Sequence, residues 1–453
     1  MFVAIDLGGS SGRVMLGEVS DGQVSLTELR RFATGPRPRP GGGLRWDVQA
    51  IHHEVLDALR SVSPLSIGID SWALDYGLID SSGSLDGDVR CYRDPRVEGV
   101  DSQVRALISD DEHYRITGLQ HMPFNTIYQL MSEPPERLAG HTMLMLPDLI
   151  TYWLTGEIGA EVTIASTTGL LDATTRQWSS DIVSRIGLPS SLLPPLRQPG
   201  DHSGLFGSTQ VVAVGSHDTA SAVTAVPFAS SRSAYISCGT WSLVGLKLDT
   251  PVLTPAAQQA NFTNESGVDG TVRFLRNTMG LWLLNESLRS WAISLEPLLT
   301  AAASEPALTA VVDPNDPLFF APGDMPARIA SYCTKTSQAV PSSPAAVVRT
   351  IMESLALSHA SALHTAQRLA DREIDVVHLV GGGAKNALLC QLTADACGIP
   401  VHAGPVEASS LGNILVQART AGFRASPTPP FATYLPKGSR TPWQAAAQRL
   451  VSG

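Results

Sequence analysis

The sequence has little of what marks several classes of protein. Only 16% of its 453 residues are charged, and the acidic residues outnumber the basic ones, which gives a formal net charge of −10. Nucleic-acid-binding proteins usually present a basic face, so no nucleic-acid partner is expected. No apolar run approaches the roughly 18 residues of a membrane span. The N-terminus has no basic segment ahead of an apolar core, so neither a membrane partner nor a signal peptide is expected.

Cysteine is also scarce, and its spacing matches no common metal site. The five cysteines are Cys91, Cys238, Cys333, Cys390 and Cys397. Their odd number and wide scatter predict reduced thiols in a cytoplasmic protein. Cys390 and Cys397 lie on one helix-like run, where packing is favoured over a disulfide or redox role.

Common nucleotide-binding and metal-binding motifs are missing as well. Neither HExxH nor paired CxxC occurs, so the usual zinc sites have no support. The glycine-rich segment after residues 2–7 (FVAIDL) leads into another strand-like run. A P-loop or a Rossmann turn would lead into a helix instead, so neither is predicted.

The order of strand-like and helix-like segments predicts an α/β fold with substantial mixed sheets. Residues 2–19 read as a strand hairpin, and residues 234–246 (AYISCGTWSLVGL) repeat that pattern with a Gly-Thr turn. Two related lobes would explain the repetition, but so would a general abundance of hairpins. The Pro- and Gly-containing stretch before residue 201 predicts domains of 1–200 and 201–453, within the two or three expected for this length.

The first hairpin loop has the composition of a phosphate-binding turn. Adjacent glycines allow successive backbone N–H groups to converge, and serine hydroxyls and an arginine add further donors. The loop residues concerned are Gly8, Gly9, Ser10, Ser11, Gly12 and Arg13. Asp6, at the end of the strand, would hold a hydrated Mg²⁺. An ordinary turn in which Asp6 bonds the loop amides remains the alternative.

Two further turns in the second half have weaker signals of the same kind. Gly239 and Thr240 form either a second phosphate-facing turn or a plain one. The glycines at 381–383 follow a buried strand and leave room for a flat group such as adenine or ribose. Asn386 is expected to cap the next helix.

The central stretch 211–223 (VVAVGSHDTASAV) is the candidate for chemistry. A buried strand over 211–214 precedes His217, Asp218 and Thr219. A carboxylate within hydrogen-bond reach suffices as base for a hydroxyl that attacks a phosphoryl group, because the proton leaves late. Asp218 is therefore a candidate base. A helix N-cap beside a core histidine is the alternative.

Taken together, these segments resemble the FGGY family of carbohydrate kinases. The resemblance covers nearly the whole chain, in order. It is carried by VAIDLGGSSGRVML (3–16), SIGIDSW (66–72), YRDPR (92–96), MPFNTIYQL (122–130), LPDLITYWLTG (146–156), SHDTASAV (216–223), SCGTWSLVG (237–245), RNTMGLWLL (276–284), VGGGAKN (380–386) and DACGIPVHAGPVEASSLGN (395–413).

The resemblance implies an actin-like, hexokinase-type fold with two lobes, each built on a mixed sheet, and a ligand cleft between them. It implies ATP and Mg²⁺ as cofactors and phosphorylation of the 1-hydroxyl of L-rhamnulose. Asp218 matches the catalytic base, and the ketose-contacting positions are Trp72, Ala73, His217, Asp218 and Thr219. The nucleotide-binding positions are Gly9, Ser10, Ser11, Gly12, Arg13, Thr240, Asn277, Asn285 and Gly382.

Three positions depart from the family pattern. Gly9 stands where alanine is frequent, Ala73 where glycine is usual, and Asn285 where a glutamine one methylene longer is usual. The alanine at position 73 leaves open whether the substrate is instead a related ketose or deoxysugar, such as L-fuculose, L-ribulose or D-xylulose. A non-catalytic actin-like ATPase is a further alternative. A monomer and a homodimer are both compatible with the sequence.

Overall fold

A computed structural model describes residues 1–451 and divides them into two compact units. The first unit comprises Met1–Pro227, Lys247–Phe274 and Ala408–Thr428. The second comprises Phe228–Leu246, Leu275–Glu407 and the described residues from Pro429. The predicted division at 200/201 falls inside the first unit, because the two strands that follow residue 201 complete that unit's sheet.

The strands alternate with helices along the chain, as predicted for an α/β protein. In chain order the strands are β1 (Phe2–Leu7), β2 (Ser11–Ser20), β3 (Gln23–Ala33), β4 (Arg37–Pro38), β5 (Leu44–Trp46), β6 (Ser66–Ser71), β7 (Tyr76–Ile79), β8 (Val89–Arg90), β9 (Thr142–Met145), β10 (Ala160–Glu161), β11 (Leu196–Arg197), β12 (His202–Phe206), β13 (Thr209–Val212), β14 (Ser233–Cys238), β15 (Trp241–Leu248), β16 (Thr263–Ser266), β17 (Val272–Met279), β18 (Val376–Val380), β19 (Val401–Ala403) and β20 (Ala432–Tyr434).

The helices are likewise given in chain order. They are α1 (Val48–Leu59), α2 (Val100–Leu107), α3 (Asp110–Thr117), α4 (Thr126–Met131), α5 (Pro135–Leu138), α6 (Leu146–Thr155), α7 (Val162–Ala165), α8 (Ser180–Arg185), α9 (Asp218–Thr224), α10 (Pro255–Gln259), α11 (Trp282–Trp291), α12 (Leu295–Ser304), α13 (Met325–Lys335), α14 (Pro344–Ala370), α15 (Ala387–Cys397), α16 (Ala408–Thr420) and α17 (Thr441–Val451). Short 3₁₀ turns occupy Pro95–Val97, Ser190–Leu192, Val268–Gly270, Pro317–Phe319 and Gly382–Lys385.

The main sheet of the first unit has the order β12-β13-β6-β1-β2-β3. Strand β1 is buried along its whole length, as its continuous apolar sequence predicts. It pairs antiparallel with β2, which confirms the predicted hairpin, and parallel with β6. Strand β13 also runs parallel to β6. The carboxyl ends of β1, β6 and β13 therefore meet at one edge of the sheet, where ligands bind in α/β folds.

Helices α9 and α16 of the first unit pack against each other with unusually close backbones. Gly412 of α16 faces Ser221 of α9, and a Cβ added at Gly412 would lie 1.7 Å from the Ser221 carbonyl oxygen. Only glycine permits this approach. The contact fixes α9, the helix that begins with Asp218, against the helix that also touches β1 and β6.

The second unit contains the sheet segment β15-β14-β18-β19-β20, in that order. Strand β14 is antiparallel to β15 and parallel to β18. The long helix α14 belongs to this unit, and Asn386 caps α15, as predicted, by accepting a hydrogen bond from the Leu389 amide at 3.0 Å.

All five cysteines are free thiols. Burial raises the pKa of the Cys390 and Cys397 thiols on α15 to about 12, which suits packing and disfavours the reactive thiolate. Within residues 1–451, no helix has the length and hydropathy needed to cross a membrane.

Candidate active site

Two aspartates lie one residue before the carboxyl ends of neighbouring strands of the first sheet. The parallel register places Asp6 of β1 directly beside Asp70 of β6. Asp6 Oδ2 accepts a hydrogen bond from Ser410 Oγ at 2.9 Å and lies 3.3 Å from Arg13 Nε. Both carboxyl groups are buried, so this edge of the sheet places two acidic side chains next to each other inside the protein.

Asp70 is held by helix α16, the helix that also contacts Asp6. Asn413 Nδ2 donates to Asp70 Oδ2 at 2.6 Å, whereas Asp70 Oδ1 has no hydrogen-bond partner among residues 1–451. Burial, together with the nearby Asp6 carboxylate, raises the pKa of Asp70 well above its usual value. Neither Asp70 nor Asn413 was assigned a role from the sequence, although both lie in segments that carry the family resemblance.

The glycine loop leaves amide groups without protein partners. The Gly8 amide donates to the Ser11 carbonyl at 3.1 Å and closes the turn, and the Thr34 amide donates to the Ser10 carbonyl at 3.3 Å. Within the described chain, the amides of Gly9 and Ser10 make no hydrogen bond. Hydrogen bonds hold both ends of the turn, and its free N–H groups can bind an anion.

The central stretch ends β13 and begins α9. The strand stops at Val212, two residues earlier than predicted. The Ser71 amide then donates to the Ser216 carbonyl at 2.9 Å, and His217 forms an isolated parallel bridge with Ser71. His217 occupies the N-cap position and Asp218 is the first helical residue. The alternative in which Asp218 is the N-cap is therefore wrong by one residue.

The Asp218 carboxylate is partly exposed, and its two oxygens differ. Oδ1 accepts a hydrogen bond from Thr219 Oγ1 at 3.1 Å and lies 3.5 Å from His217 Nε2. Oδ2 has no hydrogen-bond partner in the part of the chain that the structure describes. With 30% of the side chain exposed, Oδ2 is the atom that an incoming hydroxyl group can reach.

A buried glutamate that the sequence reasoning missed fixes the backbone of this corner. Glu161 Oε2 accepts from the Ser216 amide at 3.0 Å, and Thr163 Oγ1 accepts from the His217 amide at 3.2 Å. Glu161 also caps α7 by accepting from the Ile164 amide at 3.2 Å. Burial raises its pKa to about 7. The partners are more than fifty positions apart, so no local pattern indicates the pairing.

A second buried carboxylate, Asp75, orients the tryptophan predicted to contact the sugar. Asp75 Oδ2 accepts from Trp72 Nε1 at 2.9 Å and from Trp46 Nε1 at 2.6 Å. The two indole centroids are 4.2 Å apart. Leu74 has a φ of 80°, and Thr126 Oγ1 donates to its carbonyl at 2.7 Å. The position of Trp72 is therefore fixed by both its ring and the following backbone.

Asp75 makes the stability of the protein depend on pH. Burial raises its pKa to about 7, against roughly 3.9 in an unfolded chain. Between these values the unfolded state has released a proton that the folded state keeps, so stability falls as pH rises. Asp75→Asn retains one oxygen for the indoles and removes the titration. We expect the wild type to lose roughly 2–3 kcal/mol more than this variant between pH 5 and pH 8.

Urea unfolding at the two pH values measures this difference. Asp57→Asn, at a half-exposed carboxylate on α1, is the control and should follow the wild type. Equal losses in wild type and Asp75→Asn would contradict the assignment of a raised pKa to Asp75.

The nucleotide candidates of the second unit gather at one edge of its sheet. Because β14 and β18 are parallel, the turn at Gly239 and Thr240 and the glycines at 381–383 follow neighbouring strand ends. A Cβ at Gly383 would lie 2.5 Å from Cys238 Sγ, whereas a Cβ at Gly382 would meet no atom within 4 Å. Gly382 therefore presents an open backbone surface, as the approach of a flat ligand requires.

The remaining nucleotide-binding candidates of the second unit, Asn277 and Asn285, lie on two other elements. The Gly280 amide donates to the Thr240 carbonyl at 3.0 Å, which ties the Thr240 turn to the start of α11. Asn277 lies on β17, which leads to this point, and Asn285 is exposed on α11. The side chains of Thr240 and Asn277 are partly exposed.

Residues 1–451 contain no cluster of three or more His, Cys, Asp or Glu side chains arranged to hold a metal ion. A Mg²⁺ ion bound mainly through water and phosphate oxygens needs only one or two carboxylates. Asp6 and Asp70, adjacent in register, supply oxygen donors of the hard type that Mg²⁺ prefers.

Comparison with solved structures defines the fold. The chain aligns with xylulose kinase from Lactobacillus acidophilus at a TM-score of 0.80 and 16% identity, covering 100% of this chain and 97% of that one. It aligns with glycerol kinase from Plasmodium falciparum at a TM-score of 0.75 and 15% identity, covering 99% and 97%. The fold is thus the actin-like ATPase fold of sugar kinases, which confirms the predicted fold class.

Sequence comparison then gives the family. Models of the N-terminal and C-terminal domains of the FGGY family of carbohydrate kinases match residues 1–226 and 234–421. Rhamnulokinase from Enterococcus faecalis is 40% identical over 93% of this chain and 89% of its own length. Rhamnulokinase from Pectobacterium carotovorum is 43% identical over 93% and 88%. The chain belongs to the FGGY family of carbohydrate kinases, and it is a phosphotransferase that uses ATP and an alcohol group of a sugar.

Proposed function

We propose that this enzyme transfers the γ-phosphoryl group of ATP to the 1-hydroxyl of L-rhamnulose, giving L-rhamnulose 1-phosphate and ADP. The observation that carries the substrate assignment is the 39–43% identity to rhamnulokinases over 93% of the chain. Solved kinases named for other substrates share the fold at only 15–18% identity and so support no particular sugar.

Asp218 is the proposed general base. The 1-hydroxyl oxygen attacks the γ-phosphorus, the bond to the oxygen that bridges to ADP breaks, and the hydroxyl proton passes to Asp218 Oδ2. The support is the asymmetry of the carboxylate, since Thr219 and His217 engage Oδ1 and leave Oδ2 for the substrate. Proton transfer is late in a loose transition state, so positioning matters most.

The phosphate groups are proposed to bind the glycine loop of the first unit. The unsatisfied amides of Gly9 and Ser10 support this role, and the remaining loop candidates are Ser11, Gly12 and Arg13. Such fixed donors stabilise the charge that develops on transfer without reorganising. Mg²⁺ is proposed to be held near Asp6 and Asp70, where it would neutralise phosphate charge. The other nucleotide contacts are proposed at Thr240, Asn277, Asn285 and Gly382.

The sugar is proposed to contact Trp72, Ala73, His217 and Thr219. Ala73 departs from the glycine that is usual in the family, and other ketoses were considered as substrates for that reason. It is only partly buried and packs against the hydrophobic cluster that contains Tyr76 and Tyr128. Because Cβ is its only side-chain atom, that packing occupies the methyl group. This packing favours a sugar pocket that the Ala73 methyl group does not narrow. The substrate is therefore proposed to be the same sugar as in the rhamnulokinases.

A panel of sugars tests the substrate assignment. ADP release is measured with L-rhamnulose, L-fuculose, L-ribulose and D-xylulose, for the wild type and for Ala73→Gly. We expect the highest kcat/KM with L-rhamnulose for both proteins, and a change of less than about threefold in KM for the variant. A higher kcat/KM with another ketose would replace the proposed substrate. ATP turnover that no sugar stimulates would favour the non-catalytic ATPase.

A further inference from the structure

Arg273 is the largest of the side chains that are fully buried in the described chain. It belongs to the first unit and lies on β17. Its Nε donates to the Ser266 carbonyl at 3.0 Å, and its Nη1 lies 3.0 Å from Glu265 Oε2. Its Nη2 lies 3.0 Å from His217 Nδ1. A buried guanidinium is costly unless it is paired and hydrogen-bonded. Here Nε and Nη2 make hydrogen-bond contacts, and Nη1 is ion-paired with Glu265.

The contact between Arg273 Nη2 and His217 Nδ1 determines the tautomer of His217. A guanidinium group only donates hydrogen bonds and does not lose its proton. Arg273 Nη2 must therefore donate to His217 Nδ1, which accepts through its lone pair. In a neutral imidazole the proton is then on Nε2. Glu265 Oε2 lies 3.3 Å from Nδ1 and compensates the charge of Arg273. In the absence of Arg273, this oxygen would accept a hydrogen bond from a protonated Nδ1.

We propose that Arg273 is a positioning residue that holds His217 in the Nε2–H tautomer, directed at Asp218. Nε2 lies 3.5 Å from Asp218 Oδ1, and a proton there makes the contact attractive. With Thr219 Oγ1 donating to the same oxygen, the carboxylate is held so that Oδ2 faces the substrate. The inference rests on the proposed role of Asp218 as base.

Loss of Arg273 would reverse this arrangement. A proton on Nδ1 would be shared with Glu265, and the lone pair of Nε2 would then face the negatively charged Oδ1 of Asp218. The expected result is a misdirected carboxylate in a folded protein. Misplacement by about 1 Å near a reacting group is enough to lower the rate about a hundredfold.

The direct test is nitrogen-detected NMR of the whole protein carrying ¹⁵N-labelled histidine, with the His217 signals identified by their loss in His217→Gln. We expect the Nε2–H tautomer in the wild type, and a shift towards Nδ1–H in Arg273→Lys, whose single ammonium group cannot replace the three-nitrogen fork. For Arg273→Lys we further expect kcat to fall roughly ten- to a hundredfold while KM for ATP changes less than about threefold.

Arg419→Lys, an exposed change on α16, is the matched control and should leave both the His217 signals and kcat unchanged. An Nδ1–H tautomer in the wild type would overturn the proposal, and this result does not require any variant to fold. A wild-type kcat in Arg273→Lys would also overturn it, as would a lowered kcat with the Nε2–H tautomer retained. Failure of the proposed function would appear separately, as no turnover with any sugar of the panel while the tautomer remains measurable.

Discussion

Asp218→Asn is expected to lower kcat for sugar phosphorylation by about a thousandfold, within the range attributed to a general base. Asparagine has nearly the same shape and can still accept the Thr219 hydrogen bond through its amide oxygen. It cannot take up the proton of the sugar hydroxyl. The proposed nucleotide contacts lie elsewhere in the chain, so the dissociation constant for ADP, measured by calorimetry, should change less than about threefold.

Asp57→Asn on α1 is the control for this substitution, because its carboxylate is half exposed and is ion-paired with Arg30 and Arg60. It should retain the wild-type kcat and ADP affinity. If Asp218→Asn kept more than about a tenth of the wild-type kcat, Asp218 would have no role as base.

Gly412→Ala is expected to destabilise the protein by about 3 kcal/mol or more. Alanine is normally favoured over glycine inside a helix by roughly 0.5–1 kcal/mol. Here the added Cβ would meet the Ser221 carbonyl oxygen at 1.7 Å, a backbone atom that cannot move without its helix. Because α9 begins with Asp218, the displacement needed to relieve the clash would also lower kcat.

Thermal unfolding followed by circular dichroism measures the stability effect. The control is Gly35→Ala, at a position where a Cβ would meet no atom within 4 Å and where φ lies outside the left-handed region. It should change stability by less than about 0.5 kcal/mol. A Gly412→Ala protein as stable as the control would mean that α9 and α16 are not packed as closely as described.

The local patterns predicted most of the elements that carry the site. The first hairpin and the helix capped by Asn386 are where the sequence places them. These elements are set by apolar periodicity and by turn and cap residues a few positions apart, which a sequence reveals directly. The boundary of the first unit was not predicted, because strand pairing across the chain decides it.

The buried polar groups around the site were predicted less well. The partners of Asp6 and Asp70 on α16 are more than three hundred positions away along the chain. Glu161 and Arg273 likewise contact Ser216 and His217 from more than fifty positions away along the chain. An isolated charged residue in an apolar strand, such as Arg273 in residues 272–275 (VRFL), is the one signal available, since burial of such a group requires a specific partner.

The central claim is that the enzyme phosphorylates the 1-hydroxyl of L-rhamnulose at the expense of ATP. The most direct measurement is ³¹P and ¹³C NMR of the products formed from L-rhamnulose and MgATP. We expect one sugar phosphate for each ADP, with phosphorus coupled to C1 of the ketose, and about a thousandfold slower formation of this product with Asp218→Asn. Phosphorylation at another carbon, or ADP released without a sugar phosphate, would contradict it.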